Sequence, residues 1–145
     1  MTSIQELIPV LQTAIGPVIL ISGIGLLLLS MTNRLSRVIE RARNLLATLD
    51  TASDRAHDRI LAQIDILWSQ ARLIRVSILL AAVSVLCAAC LIIALFVTAL
   101  FKIEDAWLIS ILFVACMLSL IGSLIGFITE INRSLSAFKV ELYDR

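Results

Sequence analysis

Charged side chains divide this chain into three long uncharged runs with polar segments between and after them. The runs Leu7–Asn33, Val76–Phe101 and Ala106–Thr129 contain no Asp, Glu, Lys or Arg. A helix needs about 20 apolar residues to cross the hydrocarbon core of a bilayer. Because lipid offers no hydrogen-bond partners, short runs such as these can cross it only as helices. The pattern predicts three transmembrane helices, over about 14–32, 76–101 and 106–129.

The polar segment 33–75 carries apolar residues at alternating steps of three and four. This spacing is typical of helices that pack along one stripe. The first set is Leu35, Val38, Ala42, Leu45 and Leu49, and the second is Ile60, Ile64, Leu67, Ala71 and Ile74. Between them, Thr51 and Asp54 fit a capping box at the start of a second helix. We therefore expect the first two transmembrane helices to extend into an antiparallel hairpin.

The remaining polar segments are short. Residues 102–105 separate the second and third spans, so these two spans should form a tight hairpin of their own. Residues 130–145 form a polar tail after the third span. The predicted fold class is thus an all-α integral membrane protein, a single domain over 1–145.

Composition agrees with a membrane protein. The chain is 60% hydrophobic, well above the ~45–50% of soluble domains. The formal net charge is only +1, which gives no basis for a nucleic-acid interface.

The distribution of basic residues predicts the orientation. Of the twelve Lys and Arg residues, all but Lys102 fall in 33–75 and 130–145. Cytoplasmic loops carry the excess of basic residues in membrane proteins. We expect the N-terminus outside, and the hairpin and the C-terminal tail in the cytoplasm.

Small residues mark candidate helix-packing faces, since they let membrane helices approach closely. Gly16, Gly23 and Ser30 recur every seven residues in the first span. The second span carries a stripe of Ser77, Ala81, Ser84 and Ala88. In the third span, Ser119, Gly122 and Gly126 form an edge that includes a GxxxG motif. The alternative for the glycines is that they are simply common in spanning helices.

Two sets of charged residues are candidate sites. Six arginines lie near the predicted cytoplasmic surface, where they could attract anionic lipid headgroups or line the mouth of a pore: Arg34, Arg37, Arg41, Arg72, Arg75 and Arg133. Plain positive-inside topology, with side chains reaching the surface, is the alternative for this set.

Glu130 ends the third uncharged run and needs a partner if it is buried. Arg34, Arg75 and Arg133 are candidates, and we predict a structural ion pair that locks the third helix to the first or second. The alternative is an exposed glutamate at a helix end.

The sequence offers no catalytic, cofactor or metal site that we can name. Cys87 and Cys90 form a CxxC in the middle of a span, where we expect packing rather than redox chemistry. His57 is far from the cysteines in sequence, so no metal ligand set is indicated. Without a nucleophile–base pair or a charge inside a span, we expect neither an enzyme nor a pump.

The segment from Pro17 through Ser22-Gly23, Asn33-Arg34-Leu35-x-Arg37 and Glu40-Arg41-Ala42-Arg43 to Glu130 resembles a bacterial membrane family catalogued only as a domain of unknown function. The resemblance covers most of the chain. It implies a three-helix protein of the bacterial inner membrane, and it implies no activity.

The resulting functional hypothesis is a non-enzymatic homo-oligomer that serves as a scaffold. Its cytoplasmic hairpins would bundle, and its arginines would meet lipid headgroups. The alternative is a homo-oligomeric channel that favours anions, with the first helix lining the path and Arg34 and Arg37 at its mouth.

Overall fold

The computed structural model describes residues 3–143, without the side chains at 137, 140, 141 and 143. The described chain forms three helices, α1 (Ile4–Leu49), α2 (Asp54–Phe101) and α3 (Ala106–Tyr143). Each contains a segment long and apolar enough to cross a membrane, as a multi-pass membrane protein requires. Arg145, which the basic-residue count included, lies outside the described residues.

Helix α1 runs without a break through Pro9 and Pro17. A proline within a helix removes one backbone hydrogen bond, and the neighbouring turns can continue around it in an apolar environment. The helix therefore begins at Ile4, ten residues before the predicted start of the first span.

The connection between α1 and α2 differs from the predicted capping box. Helix α2 begins at Asp54, and the hydroxyl of Thr51 donates to the carbonyl of Thr48 at 3.2 Å. Thr51 thus bonds the last turn of α1 and does not cap α2. The first turn of α2 instead starts from Ser53, whose carbonyl accepts the backbone N–H of His57 at 2.7 Å.

Lys102 closes α2 in a left-handed backbone conformation, with φ of 54°. The N–H of the next residue, Ile103, donates to the carbonyl of Thr98 at 3.1 Å. This is the hydrogen bond of a Schellman motif, which satisfies one of the free carbonyls at a helix end.

The contacts fall into two compact units, and all three helices contribute to each. The first unit contains residues 3–28 and 79–122. In this unit α2 and α3 are joined at Ser84 and Cys116, both buried. The Ser84 hydroxyl donates to the Cys116 carbonyl at 3.0 Å, and the Cys116 thiol donates to the Ser84 carbonyl at 3.3 Å. Such bonds between membrane helices contribute about 0.6–2 kcal/mol each.

An apolar pocket of about 230 Å³ also lies in the first unit. Its lining includes Gly16 and Pro17 of α1, Ala88 and Leu91 of α2, and Phe113 of α3. Gly16 of α1 thus borders an open space in this unit.

The second unit contains residues 29–78 and 123–143. Here α2 and α3 approach closely through Ser77, Ser123 and Gly126. The hydroxyl of Ser123 donates to the backbone carbonyl of Ser77 at 2.8 Å. A methyl group placed on Gly126 would collide with the Ser77 hydroxyl. The third helix therefore meets the second where its GxxxG motif ends.

Candidate functional site: an arginine pocket around Glu130

Glu130 is the only buried acidic side chain among the described residues, with 1% of its surface exposed. Its carboxylate Oε2 lies 2.7 Å from Nη2 of Arg34. Its other oxygen, Oε1, accepts a hydrogen bond from the Ser134 hydroxyl at 2.9 Å. The structure therefore brings together the glutamate and one of the three arginines that the sequence left open. The alternative of an exposed helix-end glutamate does not fit this burial.

Arg34 is held by α3 in two ways. Besides the carboxylate, its guanidinium carbon lies 5.7 Å from the centre of the Phe127 ring. An arginine over an aromatic face gains about 0.5–2 kcal/mol, depending on desolvation. About a third of the Arg34 side chain remains exposed. Arg34 therefore links α1 to α3. Its guanidinium lies over the Phe127 ring, and part of its side chain is open to solvent.

Two atoms at this link are buried without a hydrogen bond of good geometry to a described residue. They are Nε of Arg34 and Oε2 of Glu130. Oε2 is nevertheless close to the guanidinium, so its charge is compensated. The N–H at Nε has no such compensation, and an unpaired buried donor costs about 1–3 kcal/mol.

A pocket of about 240 Å³ opens beside the pair, and we call it the arginine pocket. Helix α1 supplies Arg34, Arg37 and Arg41, whose steps of three and four place them on one helical face. The rest of the lining includes Gln70 of α2, and Glu130 and Ser134 of α3. The lining therefore contains three guanidinium groups and one carboxylate.

The other predicted arginines do not line this pocket. Arg72, Arg75 and Arg133 are exposed and absent from its lining. The predicted set of six arginines is therefore divided in the structure, with three of them lining one pocket.

The predicted packing residues of α3 and α1 differ in their surroundings. Gly126 and Gly122 face neighbours, because added methyl groups would meet Ser77 and, at 3.2 Å, the end of Leu80. Ser119 is partly buried. By contrast, Gly16 and Gly23 have nothing within 4 Å of an added methyl group, and Ser30 is exposed. Within one chain, Gly16 and Gly23 therefore make no close contact with another helix among the described residues.

Sequence reasoning missed three residues at the site: Phe127, Ser134 and Gln70. Phe127 and Ser134 lie three residues before and four after Glu130, so helical spacing alone could have placed them beside it. Gln70 lies three residues after Leu67, beside the apolar stripe of α2, and this polar position was the available signal.

Among the described side chains, no three His, Cys, Asp or Glu residues are grouped as a metal site would require. The chemistry of the pocket is that of several guanidinium groups beside amide and hydroxyl groups. Such a set binds carboxylates and phosphates through paired hydrogen bonds.

Comparison with known proteins gives a family and no individual relatives. No curated protein and no solved structure matches this chain. One family model matches residues 14–140, a range that includes all three apolar segments, Arg34 and Glu130. Because the match covers most of the chain, the protein belongs to the family described as "Protein of unknown function (DUF2721)".

Proposed function

We propose that this protein is a non-enzymatic, homo-oligomeric scaffold of the bacterial inner membrane, with segment 33–75 as a cytoplasmic antiparallel hairpin. The observation that carries the proposal is the Arg34–Glu130 pair. Both residues are the first charges after long uncharged runs. Since charges avoid hydrocarbon, this pair belongs at a bilayer surface, where it ties two helices together.

The proposed orientation rests on the excess of basic residues in 33–75 and 130–145. The N-terminus would then be outside, and residues 102–105 would face outward as well. The short connection at residues 50–53 supports a hairpin, because two helices joined so closely fold back on each other. At 1.5 Å per residue, its arms would extend roughly 30 Å.

Exposed apolar side chains outside the spans support self-association. Trp68 is 69% exposed, and Leu46 is 52% exposed. Each has a second exposed apolar residue seven positions earlier, Leu61 and Ile39 respectively. A stripe with this period buries its surface against another helix. A second copy of the hairpin would supply that helix.

An open side of α1 supports a contact between subunits in the membrane. Gly16, Gly23 and Ser30 leave this side open within one chain. Close approach of small residues is how membrane helices associate, so a helix from another subunit would fit there.

The arginines would then contact anionic lipids. Basic residues at a membrane surface contribute about 1 kcal/mol each to this attraction. The set includes those in the pocket and those outside it: Arg34, Arg37, Arg41, Arg72, Arg75 and Arg133.

Cross-linking of the purified protein, followed by mass determination in detergent, tests the scaffold. We expect a single oligomer larger than the monomer, which loses subunits when Trp68 and Leu46 are both replaced by Gln. Replacement of the exposed charged pair Asp54 and Asp58 by Asn is the matched control. A protein that stays monomeric at every concentration would contradict the proposal.

Ion flux through the same protein in liposomes tests the channel alternative. The scaffold predicts flux no greater than that of empty liposomes. Chloride flux that is abolished by Gly23→Leu would instead favour a channel lined by α1.

A further inference from the structure

We infer that α3 pairs in parallel with α3 of a second copy of this chain, through an apolar stripe that continues past the membrane surface. We call this surface the α3 stripe. Its six members follow one another at alternating steps of four and three residues: Leu124, Ile128, Ile131, Leu135, Phe138 and Leu142. The inference rests on the proposed homo-oligomer and names a surface through which its subunits would meet.

The members of the α3 stripe are open within one chain. Each has between 37% and 67% of its surface exposed. The contacts of α3 with the other described helices lie on a different side, where Ser123 donates to Ser77 and Glu130 pairs with Arg34. Ser123 and Glu130 are seven residues apart, so they share one face of the helix. These contacts therefore leave the stripe largely uncovered.

Beyond Glu130, polar neighbours set the stripe apart from the rest of the helix surface. Asn132, Arg133, Ser136 and Lys139 are exposed between its members. An apolar stripe with a period of 3.5 residues and polar positions beside it is typical of a helix that packs in a coiled coil. The tail of α3 thus carries a surface suited to another helix.

Lipid does not reach the far end of the stripe if Glu130 marks the membrane surface as proposed. Helix α3 continues without a break to Tyr143. At 1.5 Å per residue, Phe138 lies roughly 12 Å and Leu142 roughly 18 Å beyond Glu130 along the helix. The headgroups extend only about 5–8 Å beyond the hydrocarbon core on each side, and a typical tilt of about 20° shortens the distances little. A protein surface is therefore needed to cover these side chains.

A second copy of the chain fits the stripe because the stripe is complementary to itself. All copies share one orientation in the membrane, so their α3 helices are parallel and Glu130 lies at the same depth in each. Parallel helices at equal depth bring each member of the stripe opposite its own counterpart, which is the register of a parallel coiled coil. In this register Ser134 of one copy lies beside Lys139 of the other, so no like charges meet there.

The area of the stripe suits a stable contact. A half-exposed apolar side chain of this size offers on the order of 100 Å² of surface. Two copies of the stripe would together bury about 1,200 Å², which is the lower end of the range for specific interfaces. The contact is therefore large enough to contribute to the proposed oligomer without being its only interface.

Disulfide formation between single cysteines in isolated membranes tests the pairing. All native cysteines are first replaced, with Ala at 87 and 90 and Ser at 116. Leu135→Cys and Leu142→Cys each place a thiol opposite its own counterpart in the parallel register. A disulfide requires the two Cα atoms to lie within about 4.4–6.8 Å, so both variants should form linked dimers when a mild oxidant is added.

Ser136 provides the matched control, because it is exposed next to Leu135 but lies outside the stripe. We expect Ser136→Cys to give at least about tenfold less linked dimer than Leu135→Cys, since its Cα atoms are held apart.

A second measurement does not depend on disulfides. Replacement of Leu135 and Leu142 by Gln should weaken the oligomer in detergent at least about tenfold, because burial of one leucine side chain is worth about that factor. Ser136→Gln should leave the affinity within about twofold. All three positions are exposed within one chain, so thermal melting should find each variant folded.

The outcomes separate this pairing from the scaffold proposal. Equal dimer yields from Leu135→Cys and Ser136→Cys would indicate random collisions and overturn the pairing. A disulfide between Leu135→Cys and Trp68→Cys of co-expressed copies, without one between two Leu135→Cys copies, would overturn it by placing the hairpin of a neighbour on the stripe. No disulfide at either stripe position, in a protein that is still oligomeric, would overturn the pairing and assign the stripe to a different protein. A protein that is monomeric at every concentration would overturn both proposals.

Discussion

At the residue scale, the Arg34–Glu130 pair is asymmetric, because the carboxylate is buried and the guanidinium is partly exposed. Glu130 exposes 1% of its side chain and Arg34 exposes 34%. An unpaired charge costs most where water cannot reach it. The two partners should therefore differ in what their removal costs.

We expect Arg34→Gln to lower the free energy of unfolding by about 3–5 kcal/mol, because it leaves a buried carboxylate without a cation. Glu130→Gln should cost less, about 1–3 kcal/mol, because Arg34 can turn toward water. Denaturant titration of the purified protein in detergent measures both. The double variant supplies the coupling energy, which should exceed about 0.5 kcal/mol. A Glu130→Gln protein as stable as the wild type would show that the pair does not hold the helices.

Gly126 provides a second test at this scale, because a methyl group there would collide with the hydroxyl of Ser77. Overpacking of this kind costs about 1–3 kcal/mol, so Gly126→Ala should be destabilised in the same titration. Addition of Ser77→Ala should restore most of the loss, since the added carbon would then lie 3.5 Å from the Ser77 Cβ, an ordinary contact.

Gly25→Ala is the matched control, because nothing lies within 4 Å of the added methyl group. It should be neutral or slightly stabilising, as alanine favours a helix over glycine by about 1 kcal/mol. Equal losses in Gly126→Ala and Gly25→Ala would mean that the loss does not come from the contact with Ser77.

Individual residues show how far the sequence alone could go at this site. It indicated that Glu130 needs a cation, because a carboxylate at the end of an uncharged run is costly to leave unpaired. It could not choose among Arg34, Arg75 and Arg133, since all three lie within four residues of the end of an uncharged run. That choice depends on which helix faces meet, and a single sequence does not record helix rotation.

At the element scale, the ends of α2 are set by different local interactions. Its N-terminus was predicted through Thr51, but the Thr51 hydroxyl bonds the preceding helix. A hydroxyl between two helix ends can serve either one, so the sequence pattern does not decide between them. The long apolar segments were predictable because the cost of a charge in lipid outweighs such local preferences.

The C-terminus of α2 places Lys102 in a conformation that suits glycine, with φ of 54°. We expect Lys102→Gly to raise the free energy of unfolding by about 0.5–1 kcal/mol, because glycine adopts this region without steric cost. The change in denaturation midpoint measures it, and Lys102→Ala is the control without such a gain. A lower midpoint for Lys102→Gly would mean that the lysine side chain contributes more than the backbone strain costs.

At the scale of the whole molecule, we expect a second subunit to contact the side of α1 that carries Gly16, Gly23 and Ser30. Gly23 and Gly25 both have open space around an added side chain within one chain. They are two residues apart and so lie on nearly opposite sides of the helix. A bulky residue at either position should therefore leave the fold of the monomer intact.

We expect Gly23→Leu to weaken the oligomer about tenfold or more, since close helix approach is lost, and Gly25→Leu to have little effect. Oligomer fractions measured against the protein-to-detergent ratio provide the comparison. Equal oligomer fractions in the two variants would exclude the Gly16–Gly23–Ser30 side of α1 as the interface.

The central claim is that the three helices cross the membrane in the proposed orientation. Labelling of single cysteines from outside intact cells tests this claim most directly. Cys87, Cys90 and Cys116 are first replaced by Ala, Ala and Ser, and a cysteine is placed at exposed Ser53 or Glu104. A membrane-impermeant maleimide should label Glu104→Cys in intact cells, and Ser53→Cys only after the cells are broken. Labelling of Ser53→Cys in intact cells would contradict the account.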